Sequence, residues 1–182
     1  ANAFSVEEIT SWYERILKLD HRVEKSGFIL EPKIDGLTIV LHYQNGELFL
    51  GATRGDGEVG EVITPNVRTV KAIPLRIPVN SNECVIPEKL VVRGEAFINK
   101  KNFLDLNKRL EEQGERTYQN PRNTAAGSLR QLNSTLTASR PITFLSYAIV
   151  SSTGDPITTQ RDTLEYLRSL GFPVTGDYEF CD

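Results

Sequence analysis

Apolar and polar residues change rhythm several times along the chain, and the changes mark out its elements. Ser5, followed three residues later by Glu8, has the capping-box pattern. Ile9, Trp12, Tyr13 and Ile16 then recur at helical spacing, so a helix is expected to about Lys18. Residues 28–30 and 37–43 are apolar and rich in β-forming types, and Asn45-Gly46 between two such runs predicts a hairpin with a type I′ turn. A regular hairpin sets Leu41 opposite Leu50, Ile39 opposite Ala52 and Leu37 opposite Arg54. Gly55-Asp56-Gly57 reads as a tight turn. Thr64-Pro65 breaks whatever precedes it, and residues 73–87, with three prolines, read as extended or loop.

The second half of the chain is more regular. Residues 90–97 are strand-like and put Arg93 and Glu95 on one face. Asn99 is expected to cap a helix to about Gln113, with Phe103, Leu106 and Leu110 inside and Gly114 at its end. Asn120-Pro121 reads as an N-cap followed by proline in the first turn. On that helix Arg122 and Arg130 would lie about 80° apart in projection. Residues 142–150 form another strand, and residues 159–170 another capped helix closed by Gly171. Hairpins mixed with helices favour an α+β fold with mainly antiparallel sheets and flanking helices.

Between the first two apolar runs lies Glu31-Pro32-Lys33-Ile34-Asp35-Gly36. In an extended chain alternate side chains share a face, so Glu31, Lys33 and Asp35 would point one way. The expected hairpin register adds Arg54 to that face. A lysine between two carboxylates on a largely apolar strand is costly to bury, which makes the cluster a candidate site. A free lysine is almost wholly protonated at neutral pH, so a nucleophilic lysine needs burial or a nearby cation to shed its proton.

Composition narrows the setting. The 182 residues are 39% hydrophobic and 25% charged, ordinary for a soluble globular chain of one domain spanning residues 1–182. No apolar run approaches the length of a membrane span and no signal peptide is present, so a cytoplasmic location is expected. Cys84 and Cys181 lie far apart, which argues against zinc and against a disulfide framework, and no metal ligands are nominated. The net charge of −3 excludes a uniformly basic coat, but it is unevenly spread. Residues 116–154 hold four arginines and no Asp, Glu or Lys, giving that stretch +4 and the rest of the chain −7. Arginine alone suits bidentate recognition of phosphate.

Lys33-X-Asp35-Gly36 followed by Arg54-Gly55-Asp56-Gly57 resembles the covalent nucleotidyltransferases. The flanking text (EPKIDG, TRGDGEVGE, TPNVRT, VRGEAF and NPRNTAAGSLRQL) is similar to the bacterial NAD-dependent DNA ligases over nearly the whole chain. The resemblance implies a nucleotidyltransferase fold, with NAD⁺ and Mg²⁺ as cofactors and nicked double-stranded DNA as partner. It implies that Lys33 attacks NAD⁺ to form lysyl-AMP, with Asp35 orienting it. Glu31 is implied at the adenine, Arg54 and Glu95 at the rest of the AMP, and Arg122, Arg130 and Arg140 near AMP and DNA phosphates. Family catalytic domains continue past Gly-Phe-Pro-Val and carry other modules, so this chain is expected to be part of an adenylation domain, without full ligation on its own. Two other readings stand beside it: a non-catalytic DNA-binding or regulatory module of the same fold, and an ATP-dependent polynucleotide ligase relative.

Overall fold

The computed structural model describes residues 2–79 and 85–181; Cys84 and part of the proline-rich stretch lie outside them. The chain divides into two compact units, residues 1–32 with 177–182, and residues 33–176.

The smaller unit starts with helix α1, Val6–Leu19, whose N-cap Ser5 accepts a hydrogen bond from the Glu8 amide as the capping pattern requires. A 3-10 turn, His21–Lys25, leads to strand β1, Phe28–Leu30, which pairs antiparallel with the last strand of the chain, Glu179–Cys181. Trp12 and Tyr13 both meet the Phe28 ring edge-on.

The larger unit is built on a four-stranded antiparallel sheet, order β3-β2-β4-β5. Its strands are β2 (Leu37–Gln44), β3 (Glu47–Thr53), β4 (Lys89–Phe97) and β5 (Thr143–Ser152). Asn45 and Gly46 both have positive φ, 48° and 81°, so β2 and β3 meet through the expected two-residue turn. The register beyond it differs from expectation. Tyr43 pairs with Leu48 but His42 pairs with Leu50, leaving Phe49 as a bulged residue without a partner. Every pair further from the turn is therefore offset by one: Leu41 faces Gly51, Val40 faces Ala52 and Ile39 faces Thr53.

One sheet face is sealed. Ile39, Leu41, Tyr43, Leu90, Val92 and Phe144 are buried there with Val67, Leu129, Leu167 and Leu170 from the helices. The Tyr43 hydroxyl donates to the Pro74 carbonyl at 2.6 Å, so its polar end is satisfied; burial holds its ionisation far above the ordinary tyrosine range. The helices on this unit are short α2 (Thr64–Val67), α3 (Lys100–Glu112), α4 (Pro121–Leu129), α5 (Ser134–Ala138) and α6 (Gln160–Ser169). Asn99, Asn120 and Thr159 each cap their helix through the side chain, as the sequence pattern predicts. Helices α2 and α5 were not expected. Each is only four or five residues long, below the length at which apolar periodicity can register. The α+β, antiparallel reading of the sequence agrees with this architecture.

Leu41 is fully buried and Phe49 is 65% exposed. Leu41→Ala should therefore lower unfolding free energy by about 2–5 kcal/mol, and Phe49→Ala by less than about 0.5 kcal/mol, in urea titrations. On the opposite face, burial pushes the His42 imidazole below its ordinary value. The folded chain then binds fewer protons at this site than the unfolded chain, so its stability should fall as pH drops through about 6.5. His42→Gln should flatten that part of the pH–stability curve, read from urea midpoints at pH 7.5 and pH 5.

Candidate nucleotide site

Residues 31–35 form no strand. The alternation expected to put Glu31, Lys33 and Asp35 on one face therefore has no ladder behind it: Pro32 has no amide proton to give one, and regular pairing starts only at Leu37. Glu31 is half-buried and belongs to the smaller unit, whereas Lys33 and Asp35 are exposed and open the larger one.

The bulge at Phe49 also relocates Arg54. The Arg54 amide donates to the Thr38 carbonyl at 3.1 Å, so Arg54 lies across from Thr38 and not, as a regular hairpin would have it, from Leu37. Thr38 pairs with Glu95 on its other side. Arg54, Thr38 and Glu95 thus form one cross-strand row at the end of the sheet. Glu95 is 8% exposed, and its two carboxylate oxygens accept from the Gly36 amide at 3.1 Å and from the Thr38 hydroxyl at 2.9 Å. Gly36 is held just as closely from below: a Cβ there would sit 2.2 Å from the Ala96 carbonyl oxygen.

Helix α4 supplies the facing wall. It packs against β4 and β2 through buried Ala125 and Leu129, leaving Arg122, Asn123, Ala126 and Arg130 over the strand ends. These residues enclose a cavity of about 390 Å³ with residues 36–38 and 53–55. Arg122 and Arg130 line this one cavity as the projected angle suggested, although Arg130 is the C-cap and not a residue of the helix proper.

Each α4 arginine already holds a carboxylate. Arg122 Nη1 lies 2.6 Å from Asp35 and Arg130 Nε 2.6 Å from Glu61. Both pairs are about half exposed, so neither adds much to stability. Among the described residues Arg54 and Lys33 have no ion-pair partner. The Gly55–Gly57 turn is fixed by Asp56, which accepts from the Glu58 and Val59 amides; those bonds hold its carboxyl below the usual range.

Arg140 is not brought into this cavity. It donates to the Tyr118 hydroxyl at 3.0 Å, lies 5.4 Å from that ring's centre, and lines a separate cavity of about 180 Å³ that shares only Asn123 with the first. Sequence reasoning also missed Glu61, Thr38 and Asn66. Buried Asn66 donates to the Gln131 carbonyl and the Thr137 hydroxyl, both at 2.8 Å, and Thr137 in turn donates to the Ser128 carbonyl at 2.7 Å. This network pins the chain on both sides of Arg130. An asparagine in a four-residue helix gives no periodic signal; only its burial reveals it.

A cavity lined by three arginines, and by a glycine three residues along the chain from an exposed lysine, has the features of a site that handles phosphate esters. Comparison with known proteins makes this specific: the chain belongs to the NAD-dependent DNA ligase adenylation domain family, which matches residues 1–182. It is 45% identical over 184 residues to a DNA ligase of Roseiflexus castenholzii, covering 97% of this chain and 26% of that protein. It is 47% identical to one of Thermomicrobium roseum over 99% of the chain and 26% of that protein, and 46% identical to one of Nitrobacter hamburgensis over 100% and 25%. The chain thus spans about a quarter of the length of these relatives. Among the described residues no helix is long and apolar enough to cross a membrane, and no three His, Cys, Asp or Glu side chains converge as a metal site.

If Glu61 competes with an incoming phosphate for Arg130, Glu61→Gln should tighten inorganic pyrophosphate binding by roughly two- to fivefold, the worth of one exposed ion pair. Arg54→Ala should weaken it. Isothermal titration at low salt reads both.

Proposed function

We propose that this chain carries the nucleotide-transfer chemistry of an NAD-dependent DNA ligase, with Lys33 as the acceptor of AMP. The observation that supports it best is the arginine-lined cavity at the end of β2, next to the lysine segment, in a chain of this family. NAD⁺ is the substrate. The neutral amine of Lys33 attacks the α-phosphorus; an N–P bond forms, the bridging P–O bond of the pyrophosphate breaks, and nicotinamide mononucleotide leaves with the electron pair. The lysine's displaced proton passes to solvent. Phosphoryl transfer of this kind needs charge stabilisation more than covalent help, and Arg54, Arg122 and Arg130 supply it.

The ion pairs give the sequence of events a physical basis. A phosphate entering the cavity competes with Asp35 for Arg122 and with Glu61 for Arg130. Asp35, released, stands two residues from Lys33 and can orient its amine or the leaving group. Glu31 is read as the adenine contact and Glu95 as a ribose contact. Mg²⁺ would be carried mainly by substrate phosphates and water, as that ion commonly is. AMP then passes to the 5′-phosphate of a nicked duplex, whose neighbouring 3′-hydroxyl seals the break. Arg140, with Arg122 and Arg130, is read as a contact to the DNA phosphates, in a stretch that bears positive charge only.

Intact mass spectrometry tests this directly. After incubation with NAD⁺ and Mg²⁺ the chain should gain one adenylyl group, and Lys33→Ala should gain none. Uptake of AMP from ATP but not from NAD⁺ would overturn the choice of substrate. Nick binding that survives in Lys33→Ala, with no adenylyl uptake by the parent chain, would favour a purely DNA-binding module.

A further inference from the structure

We propose that Glu95 is a positioning residue for Lys33: its buried carboxylate fixes the segment that carries the nucleophile. The inference rests on the reading of Lys33 as the AMP acceptor. A carboxyl group at 8% exposure is costly to bury unless it is well hydrogen-bonded. Among the described residues Glu95 has no cationic partner; it accepts from the Gly36 amide and the Thr38 hydroxyl. Both donors belong to the joint between the lysine segment and β2.

Besides these two bonds, the joint is tied by the half-exposed Asp35–Arg122 ion pair, which solvent screens. Residues 31–35 make no ladder, so the first regular pair on this side is Leu37 with Ala96. Gly36 lies so close to Ala96 that no side chain fits between them. The Glu95 carboxylate closes the arrangement by taking the one amide proton of Gly36, which the ladder does not use. Lys33 follows within three residues, about 10 Å of extended chain at most. A segment that short inherits the position of its anchor. Misplacement of a reacting group by about 1 Å can cost on the order of 100-fold in rate.

Glu95 therefore acts on Lys33 through Gly36, whether or not an oxygen lone pair also meets the ribose. The two roles separate experimentally. Under the positioning role, Glu95→Ala should slow single-turnover adenylyl transfer at saturating NAD⁺ by roughly 100-fold, with the NAD⁺ dissociation constant changed less than about threefold. Glu95→Gln should recover most of the rate. Its amide oxygen can still accept from Gly36, and its NH₂ can donate to the Thr38 oxygen. The same loss should appear with a dinucleotide lacking the adenosine 2′-hydroxyl.

A Glu95→Ala effect on affinity alone, or one that disappears with the 2′-deoxy substrate, would overturn the proposal. Amide hydrogen exchange supplies a readout that needs no reaction. In Glu95→Ala the Gly36 amide should exchange at least tenfold faster while the Ile39 and Leu41 amides stay protected; an unchanged Gly36 amide would also overturn it. If the parent chain takes no AMP from NAD⁺, the reading of Lys33 fails, and the Gly36 amide still decides whether Glu95 holds the segment.

Discussion

The antiparallel pairing of β2 with its two neighbours, shifted by a single bulge, is the constraint on which the rest depends. Side chains alternate faces with a period of two, so one inserted residue reverses the face of everything beyond it. Phe49 is that residue. Its bulge sets Arg54 across from Thr38 and so in line with Glu95, at the same end of the sheet where α4 presents Arg122 and Arg130. The cost of the bulge is local, since Phe49 itself is exposed. The consequence is a cation and a hydroxyl on one wall of a cavity, with the Glu95 carboxylate bonded to that hydroxyl, facing a second cationic wall.

Electrostatics at this mouth are balanced by carboxylates that are weakly held. Asp35 and Glu61 pair with Arg122 and Arg130 in half-exposed positions, where solvent screening keeps the attraction small. A phosphate, carrying more charge and more acceptor oxygens, can replace either one at modest expense. The supporting structure is stiffer than the site it carries. Asn66, Thr137 and Ser128 form a buried and satisfied chain of hydrogen bonds around Arg130, and the bonds from Gly36 and Thr38 to Glu95 do the same for the lysine segment.

Much of this was legible in the sequence because it depends on local chemistry. Asn45-Gly46 fixed the hairpin turn; Ser5, Asn99, Asn120 and Thr159 fixed helix starts; and the arginine-only composition of residues 116–154 marked the cationic wall. What failed was non-local. A bulge leaves no mark that Phe49 or its neighbours could display, so the hairpin register was off by one and Arg54 was expected opposite Leu37. Residues 31–35 read as extended, at the junction of two apolar runs; Pro32 keeps that segment out of the ladder. The resemblance names Arg140 together with Arg122 and Arg130; ten residues and a short helix carry it to a different cavity, beside Tyr118. Glu61 escaped notice because an exposed loop carboxylate looks like any other until its partner is seen.

One cavity is proposed to receive the nucleotide phosphate, and the decisive measurement is a structure of this chain with AMP bound. The phosphorus should lie among Arg54, Arg122 and Arg130, with the Asp35–Arg122 or the Glu61–Arg130 pair opened to admit it. AMP bound instead in the smaller cavity beside Tyr118, Gln131 and Arg140, with both ion pairs intact, would contradict it.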